Sequence, residues 1–182
     1  MKAPEVETDR LRLRSFRPED LADLYLVFGD TEVMRYISGG KARTLEETEI
    51  GLGRTLEAWQ SRGFGFWAIT TKGSDKVIGY CGFMPLEETP EIELAYGLAK
   101  SHWGGGFATE AARACLRYGF AELKLNRIVA VVNPGNVASQ RVLEKLGMRY
   151  TKDAHHYDAD LMYYEISSAA FNPEPTDKQE SI

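Results

Sequence analysis

Apolar and polar residues alternate along several stretches of the chain, which is the pattern of strands that bury one face. Near the N-terminus, Leu11 and Leu13 alternate with arginines. Residues 127–132 are almost continuously apolar and β-branched, which is typical of a strand in the centre of a sheet. The other predicted strands lie at 64–71, 76–84, 91–98, 148–151 and 158–166. The chain is therefore predicted to contain about seven strands.

Apolar residues recur every three to four positions in other stretches, which is the period of amphipathic helices. About four helices are predicted, at 21–28, from Thr44 onward, at 107–123 and at 137–146, with a shorter helical piece at 31–36. Thr44 and Glu47 form a capping box, which marks the start of the second helix. Its buried stripe is predicted to be Leu45, Leu52, Leu56 and Trp59. This order of elements predicts one α/β (α+β) domain with a mixed, mostly antiparallel sheet.

Three consecutive glycines separate the strand at 91–98 from the helix at 107–123. Gly104, Gly105 and Gly106 lack Cβ atoms, so their backbone can curve closely around a ligand. The following helix directs unpaired N–H groups and the positive end of its dipole to that curve, which favours phosphate. The sequence lacks the Gly-Lys-Ser/Thr of a Walker loop and the third glycine of a dinucleotide-binding loop. A phosphate loop of another type and a plain glycine-rich loop remain the alternatives.

Composition narrows the classes of function. The 182 residues are 43% apolar, and one domain is predicted at 8–167 with a disordered polar tail at 168–182. A formal net charge of −5 disfavours nucleic acid as a partner. No apolar stretch approaches the roughly 20 residues of a membrane span, so no membrane partner and a cytoplasmic location are expected. Cys81 and Cys115 are expected in the core, and three histidines without zinc spacing predict no metal.

Five segments, in this order, resemble the GCN5-related N-acetyltransferase (GNAT) superfamily. The segments are DRLRLR at 9–14, VIGYCGF at 77–83, ELAY at 93–96, WGGGFATEA at 103–111 and NPGNVASQRVLEKLGM at 133–148. Within the superfamily they look most like the ribosomal-protein N-terminal acetyltransferases of the RimJ/RimL type. The resemblance implies a sheet that splays open at an acetyl-CoA cleft, with acetyl-CoA as the donor and a primary amine as the acceptor.

The resemblance also implies which residues contact the coenzyme. The glycine loop matches the superfamily's pyrophosphate motif, so its backbone amides are expected to hold the pyrophosphate. A free backbone N–H near the start of the splay is expected to face the thioester oxygen. The expected coenzyme-binding residues are Ala95, Tyr96, Trp103, Gly104, Gly105, Gly106, Phe107, Ala108, Thr109, Asn133, Asn136 and Ser139. For Asn136, a helix N-cap role alone is an alternative.

The reaction requires a base, because an α-amine with a pKa of about 8, or a lysine amine with about 10.4, arrives protonated. Glu93 is the leading candidate, acting through a water, since its strand is expected to line the cleft. The alternative is that Glu93 only attracts the cationic amine, and His102 is a weaker candidate base. Ser139 matches the branch's Asn-x-x-Ser pattern and is expected to protonate or hydrogen-bond the departing thiolate. A nearby tyrosine in that role, or a purely structural serine, are the alternatives.

The sequence leaves the acceptor open. A protein or peptide N-terminal α-amine is the main expectation, and a small amine (a polyamine, an amino acid or an aminoglycoside) is the alternative. A non-catalytic acyl-CoA-binding regulatory module is disfavoured, because Glu93 and Ser139 occur together. Glu87, Glu88 and Glu91 predict an acidic rim that suits either cationic acceptor. A monomer or a homodimer is expected.

Overall fold

The computed structural model describes residues 3–174, and this part of the chain contains eight strands and five α-helices. The strands are β1 (Val6–Glu7), β2 (Leu11–Arg14), β3 (Phe66–Thr71), β4 (Val77–Pro85), β5 (Ile92–Leu98), β6 (Arg127–Val132), β7 (Arg149–His156) and β8 (Ala159–Ser167). The helices are α1 (Leu21–Phe28), α2 (Thr31–Met34), α3 (Leu45–Arg62), α4 (Phe107–Ala121) and α5 (Val137–Lys145). The predicted α/β class is confirmed. The structure has one strand more than the seven predicted. This strand, β1, was not predicted because two residues are too few to show an alternation of apolar and polar residues.

The strands form one open sheet in the order β1-β2-β3-β4-β5-β6-β8-β7. All neighbours pair antiparallel except β5 and β6, which run parallel. Within the described residues, β5 and β6 pair only at Glu93 and Val129. Because β5 runs on to Leu98 and β6 to Val132, the two strands diverge toward their C-terminal ends. The sheet therefore has the central opening that the resemblance implied.

Helix α3 begins where its capping box predicts. The Thr44 hydroxyl accepts the Glu47 N–H at 3.1 Å, and the Glu47 carboxylate accepts the Thr44 N–H at 2.8 Å. Leu52 and Trp59 are buried against the sheet, as predicted. Leu45 is instead 50% exposed, so its place in the buried stripe was wrong. Leu45 is the first helical residue, and the core lies against the later turns of the helix.

Helix α4 packs its apolar face across β4 and β5. Ala111, Ala112 and Leu116 on this face are fully buried. Cys81 of β4 and Cys115 of α4 are also buried in this core, with their sulfur atoms 3.3 Å apart. Since α4 starts directly after the three glycines, this packing fixes the glycine loop at the end of β5, beside the opening of the sheet.

The first part of the tail predicted at 168–182 contacts helix α4. Phe171 packs against Phe120 of α4, with the ring centroids 5.2 Å apart. The backbone carbonyls of the next two residues accept hydrogen bonds from arginines of α4. One partly buried aromatic ring and two backbone carbonyls thus connect this segment to α4. Residues 175–182, the remainder of the predicted tail, lie outside the described residues.

No helix within residues 3–174 is long and apolar enough to cross a membrane. The same residues contain no group of three or more histidine, cysteine or acidic side chains that could hold a metal ion.

Candidate active site

The three glycines make the turn that leads into α4. Gly104 and Gly106 have φ angles of 75° and 77°, in the left-handed region that glycine adopts without strain. The Gly106 carbonyl accepts the first helical hydrogen bond, from the Glu110 N–H at 3.1 Å. The N–H groups of residues 107–109 therefore have no partner inside the helix, and they point to the loop together with the helix dipole. This is the geometry of an anion site.

The other predicted pyrophosphate residues surround this turn. Trp103 is half exposed, and its indole N–H donates to the Leu98 carbonyl at 2.9 Å. Phe107, Ala108 and Thr109 are half-buried in the first turn of α4. The loop is thus tied to the end of β5 on one side and to the first turn of the helix on the other.

An arginine that the sequence analysis placed only on a strand braces the glycine loop. Arg10 donates to the Gly105 carbonyl at 2.8 Å and to the Glu110 carboxylate at 2.6 Å. Its guanidinium lies 4.4 Å from the centroid of the Phe107 ring. Burial acts to raise the pKa of Glu110, but hydrogen bonds from Thr8 and Arg10 outweigh it and hold that pKa below its usual value. Arg10 therefore offsets the negative charge of Glu110, the one carboxylate in the first turn of α4.

Ala95 and Tyr96 lie in the part of β5 that is no longer paired with β6. Ala95 pairs with Gly82 of β4, and Tyr96 pairs with Cys81. On the β6 side, the described residues provide no pairing beyond Glu93. The backbone on that side can therefore pair with an extended ligand, as a sheet edge does when it accepts an added strand.

Tyr96 connects β5 to the helix that follows β6. Its hydroxyl oxygen lies 2.8 Å from Ser139 Oγ, and it donates to the Ser139 carbonyl at 3.2 Å. Burial raises the pKa of Tyr96 above its usual range, and the hydrogen bond with Ser139 only partly opposes this. A neutral phenol and a serine hydroxyl thus lie together beside the opening, where both can donate hydrogen bonds. Tyr96 was predicted from the sequence as a backbone contact, and the position of its hydroxyl beside Ser139 was not predicted.

The two predicted asparagines have local roles in the structure. Asn136 is the N-cap of α5, and its side-chain oxygen accepts the Ser139 N–H at 3.1 Å. The side-chain oxygen of Asn133 accepts the Gly135 N–H at 2.9 Å, which forms an Asx turn after β6. These bonds shape the turn that positions Ser139. The coenzyme contacts of both asparagines stay predictions.

Glu93 is a buried carboxyl at the start of the opening. Glu93 is only 5% exposed, and it lies at the position where β5 pairs with β6. Burial raises its pKa to about 7, against the smaller lowering effects of hydrogen bonds from the Tyr157 hydroxyl and the Val131 backbone. The Tyr157 hydroxyl donates to Glu93 Oε2 at 2.5 Å. A carboxyl with such a pKa can exchange a proton near neutral pH.

The predicted acidic rim is only partly available to a substrate. The Glu87 carboxylate accepts the Tyr157 backbone N–H at 2.9 Å, and its other oxygen lies 2.7 Å from His156 Nδ1. The hydrogen bond from His156, followed by that from Tyr157, lowers the pKa of Glu87. Glu91 forms an ion pair with Arg127. Two of the three predicted rim carboxylates therefore hold neighbouring elements in place.

The potential base and the potential proton donors lie on opposite faces of β5. Glu93 and Tyr96 are three positions apart, and side chains of odd and even positions in a strand point to opposite faces. Tyr96 packs with the main core and with Ser139, whereas Glu93 meets the tip of the β7–β8 hairpin. The opening between β5 and β6 connects the two faces. A nucleophile could lose a proton on one face while a leaving group receives one on the other.

Comparisons with known proteins agree with this arrangement. Residues 10–149 match the family described as the acetyltransferase (GNAT) domain. The chain is 38% identical over 164 residues to the uncharacterized protein YkkB of Bacillus subtilis (strain 168), covering 88% of this chain and 94% of YkkB. It is 36% identical to the uncharacterized N-acetyltransferase p20 of Bacillus licheniformis, covering 78% and 80%. A GNAT-family acetyltransferase from Bacillus anthracis has a similar crystal structure, with a TM-score of 0.80, 29% identity and coverage of 91% and 99%.

Proposed function

The chain belongs to the GNAT family of acetyl-CoA-dependent N-acetyltransferases, and we propose that it acetylates the N-terminal α-amine of a protein or peptide. The observation that carries this proposal is the Glu93 carboxyl, whose pKa burial raises to about 7. Proton transfer to it is uphill by about 1 kcal/mol from an α-amine of pKa about 8, and by about 5 kcal/mol from a lysine-type amine of pKa about 10.4. An α-amine is therefore the acceptor that Glu93 deprotonates at the lower cost.

The proposed coenzyme site follows the opening of the sheet. The glycine loop and the first turn of α4 would hold the pyrophosphate, with Trp103 and Thr109 at its border. The backbone of Ala95 and Tyr96 would pair with the extended arm, and Asn133 would bind its amides. When bound, acetyl-CoA supplies an acetyl group activated as a thioester. The free helix-end N–H groups and the unpaired side of β5 fit these two parts of the molecule.

In the proposed mechanism, residues on the two faces of β5 have separate roles. Glu93 accepts the proton that the acceptor amine loses before its nitrogen attacks. A backbone N–H near Ala95 or Tyr96 donates to the thioester oxygen as negative charge develops there. The Ser139 hydroxyl, hydrogen-bonded to Tyr96, stabilises the departing thiolate. Transfer is direct, because Cys115, like its buried neighbour in β4, lies in the core, where burial raises the pKa of its thiol.

The finer assignment to the RimJ/RimL type rests on the sequence resemblance. The proposed cytoplasmic location rests on the sequence having no apolar stretch of membrane-spanning length, and a monomeric or homodimeric state stays an expectation. Small amines are the alternative acceptors. Glu88 is exposed in the β4–β5 turn and is the rim carboxylate without an ion pair among the described contacts. It suits cationic acceptors of either kind.

A matched set of acceptors tests the proposed substrate class. Release of coenzyme A thiol would be measured with a lysine-free peptide that has a free N-terminus, and with a peptide that is N-terminally blocked and contains one lysine. Spermidine, a free amino acid and an aminoglycoside complete the set. We expect kcat/KM to be at least about 100-fold higher for the free N-terminus than for the blocked lysine peptide. Faster turnover of the blocked peptide or of a small amine would contradict the proposal.

A further inference from the structure

The turn between β7 and β8 places a tyrosine where asparagine or glycine is favoured. Tyr157 and Asp158 are the only two residues between these strands, and their φ angles are 53° and 57°. Two consecutive left-handed residues form a type I′ turn, for which Asn-Gly is the preferred pair. A bulky aromatic residue is strained in this conformation. The contacts of Tyr157 must therefore compensate for the strain.

Two carboxylates hold Tyr157 in this turn. Its backbone N–H donates to Glu87 Oε1 at 2.9 Å, and its hydroxyl donates to Glu93 Oε2 at 2.5 Å. Glu87 also has a left-handed φ, of 49°, and its second oxygen lies 2.7 Å from Nδ1 of His156, the residue before the turn. The β4–β5 turn thus fixes the backbone of the hairpin tip, and the phenol is directed onto Glu93.

Tyr157 also lies between Glu93 and the solvent. Glu93 is 5% exposed, whereas Tyr157 is 40% exposed. Among residues 3–174, the groups that hydrogen-bond the Glu93 carboxyl are the Tyr157 hydroxyl and the Val131 backbone amide. A backbone N–H cannot give its proton to the carboxylate and take up another. A phenol oxygen can accept one proton while it releases another. The phenol therefore offers a path for protons to the buried carboxyl.

We propose that Tyr157 is a catalytic residue that relays a proton from the acceptor ammonium to Glu93. This rests on the proposed function, in which Glu93 is the base. As an N–H bond of the ammonium breaks, that proton binds the Tyr157 oxygen, while the phenolic proton moves to Glu93 Oε2. The nitrogen keeps the electron pair with which it attacks. Tyr157 is neutral before and after, and Glu93 becomes a neutral carboxylic acid that returns the proton by the reverse path after product release.

The electrostatics of the turn favour a relay in which both protons move together. Burial and the neighbouring charge of Glu93 raise the pKa of Tyr157. A free phenolate is therefore disfavoured, so the phenol has to receive one proton as it gives up the other. The direct contact between Tyr157 and Glu93 also replaces the bridging water that the sequence analysis expected.

The substitution Tyr157→Phe tests the relay, because it removes the hydroxyl and keeps the ring. We would measure kcat/KM for an N-terminal peptide at saturating acetyl-CoA from pH 5.5 to 9.5. A relay predicts a kcat/KM that is about 10- to 100-fold lower below pH 8, where the amine arrives protonated, with the deficit shrinking at higher pH, where the amine arrives neutral. The acid limb should also move to higher pH, because Glu93 loses a hydrogen bond that lowers its pKa. A loss of kcat/KM below pH 8 that is no larger than the shifted limb accounts for would overturn the proposal and leave Tyr157 as a positioning residue.

Two further variants separate this proposal from the proposed function. Tyr150→Phe is the matched control, since Tyr150 lies on the same hairpin, is 47% exposed and bonds Asp153 rather than Glu93. It should retain the wild-type profile. An inactive Glu93→Gln together with a fully active Tyr157→Phe would refute the relay alone. A fully active Glu93→Gln would refute both the base and the relay.

A proton inventory in mixtures of H2O and D2O gives a second readout. Two protons moving in one step predict a curved dependence of kcat/KM on the deuterium fraction for the wild type. The Tyr157→Phe variant, with one remaining transfer through solvent, should give a straight line. A straight line for the wild type would contradict the concerted relay.

Discussion

Replacing Glu93 by glutamine should stabilise the protein at alkaline pH while it removes the proposed base. Burial raises the Glu93 pKa from its usual value near 4.5 to about 7, because the charged form is disfavoured inside the protein. The folded state therefore binds this proton more tightly than the unfolded state does. The resulting stabilisation is fully present below about pH 4.5 and is lost as the pH rises through about 7. Glutamine has a similar shape and no proton to lose, so it escapes this loss.

The expected magnitude follows from the two pKa values. Moving the pKa of one group from about 4.5 to about 7 corresponds to about 3 kcal/mol at 25 °C. The free energy of unfolding of Glu93→Gln, minus that of the wild type, should therefore grow by up to about 3 kcal/mol between about pH 4.5 and pH 9. For a chain of this size, that difference amounts to about 6–12 °C in Tm at the alkaline end.

Urea unfolding at half-unit pH intervals, followed by tryptophan fluorescence, measures this difference. Glu88→Gln is the matched control, because Glu88 is exposed in the neighbouring β4–β5 turn and the substitution changes the net charge equally. Its curve should run parallel to that of the wild type. Parallel curves for Glu93→Gln and the wild type would show that the Glu93 carboxyl titrates as an ordinary surface group. Glu93 would then no longer support an α-amine as the acceptor.

Three further outcomes are expected. Gly106→Ala should destabilise the protein by about 1–2 kcal/mol, because the φ angle of Gly106 is 77°. It should also abolish the thermal shift caused by coenzyme A, whereas the control Gly53→Ala, at a position in α3 with open space around it, should retain that shift. Arg14→Met should cost about 3–5 kcal/mol in urea unfolding, because it leaves the buried Asp20 carboxylate without its partner, and Asp20→Asn in the same chain should restore much of the loss. Ser139→Ala should lower kcat about 10- to 100-fold through the lost hydrogen bond to the thiolate, and an unchanged kcat would exclude that role.

Regular elements were predictable because their signals are local. Alternating or continuous apolar residues located β2 to β6, and the Thr44 capping box located the start of α3. The glycine loop was predictable too, since a phosphate turn and the helix that follows are continuous in sequence. These features depend on neighbours within a few residues, which a single sequence displays directly.

The contacts that complete the site join distant positions. Arg10 and Glu110 are 100 residues apart, and Tyr157 and Glu93 are 64 apart. Tyr157 lies in an aromatic-rich hairpin, and its left-handed turn leaves no trace in apolar periodicity. The pKa of Glu93 was equally unpredictable, because it depends on burial by the hairpin tip. Such properties arise only when the sheet order brings the segments together.

The single pairing of β5 with β6 also divides the fold into two hydrogen-bonded blocks. Strands β1 to β5 form one continuous ladder, and β6, β8 and β7 form another. Segments that share few backbone bonds open separately in native-state hydrogen exchange. We therefore expect the two blocks to exchange their amides with different opening free energies in the free protein. A ligand arm that pairs along β5 would bridge the blocks, so that substrate binding and folding cooperativity depend on the same gap.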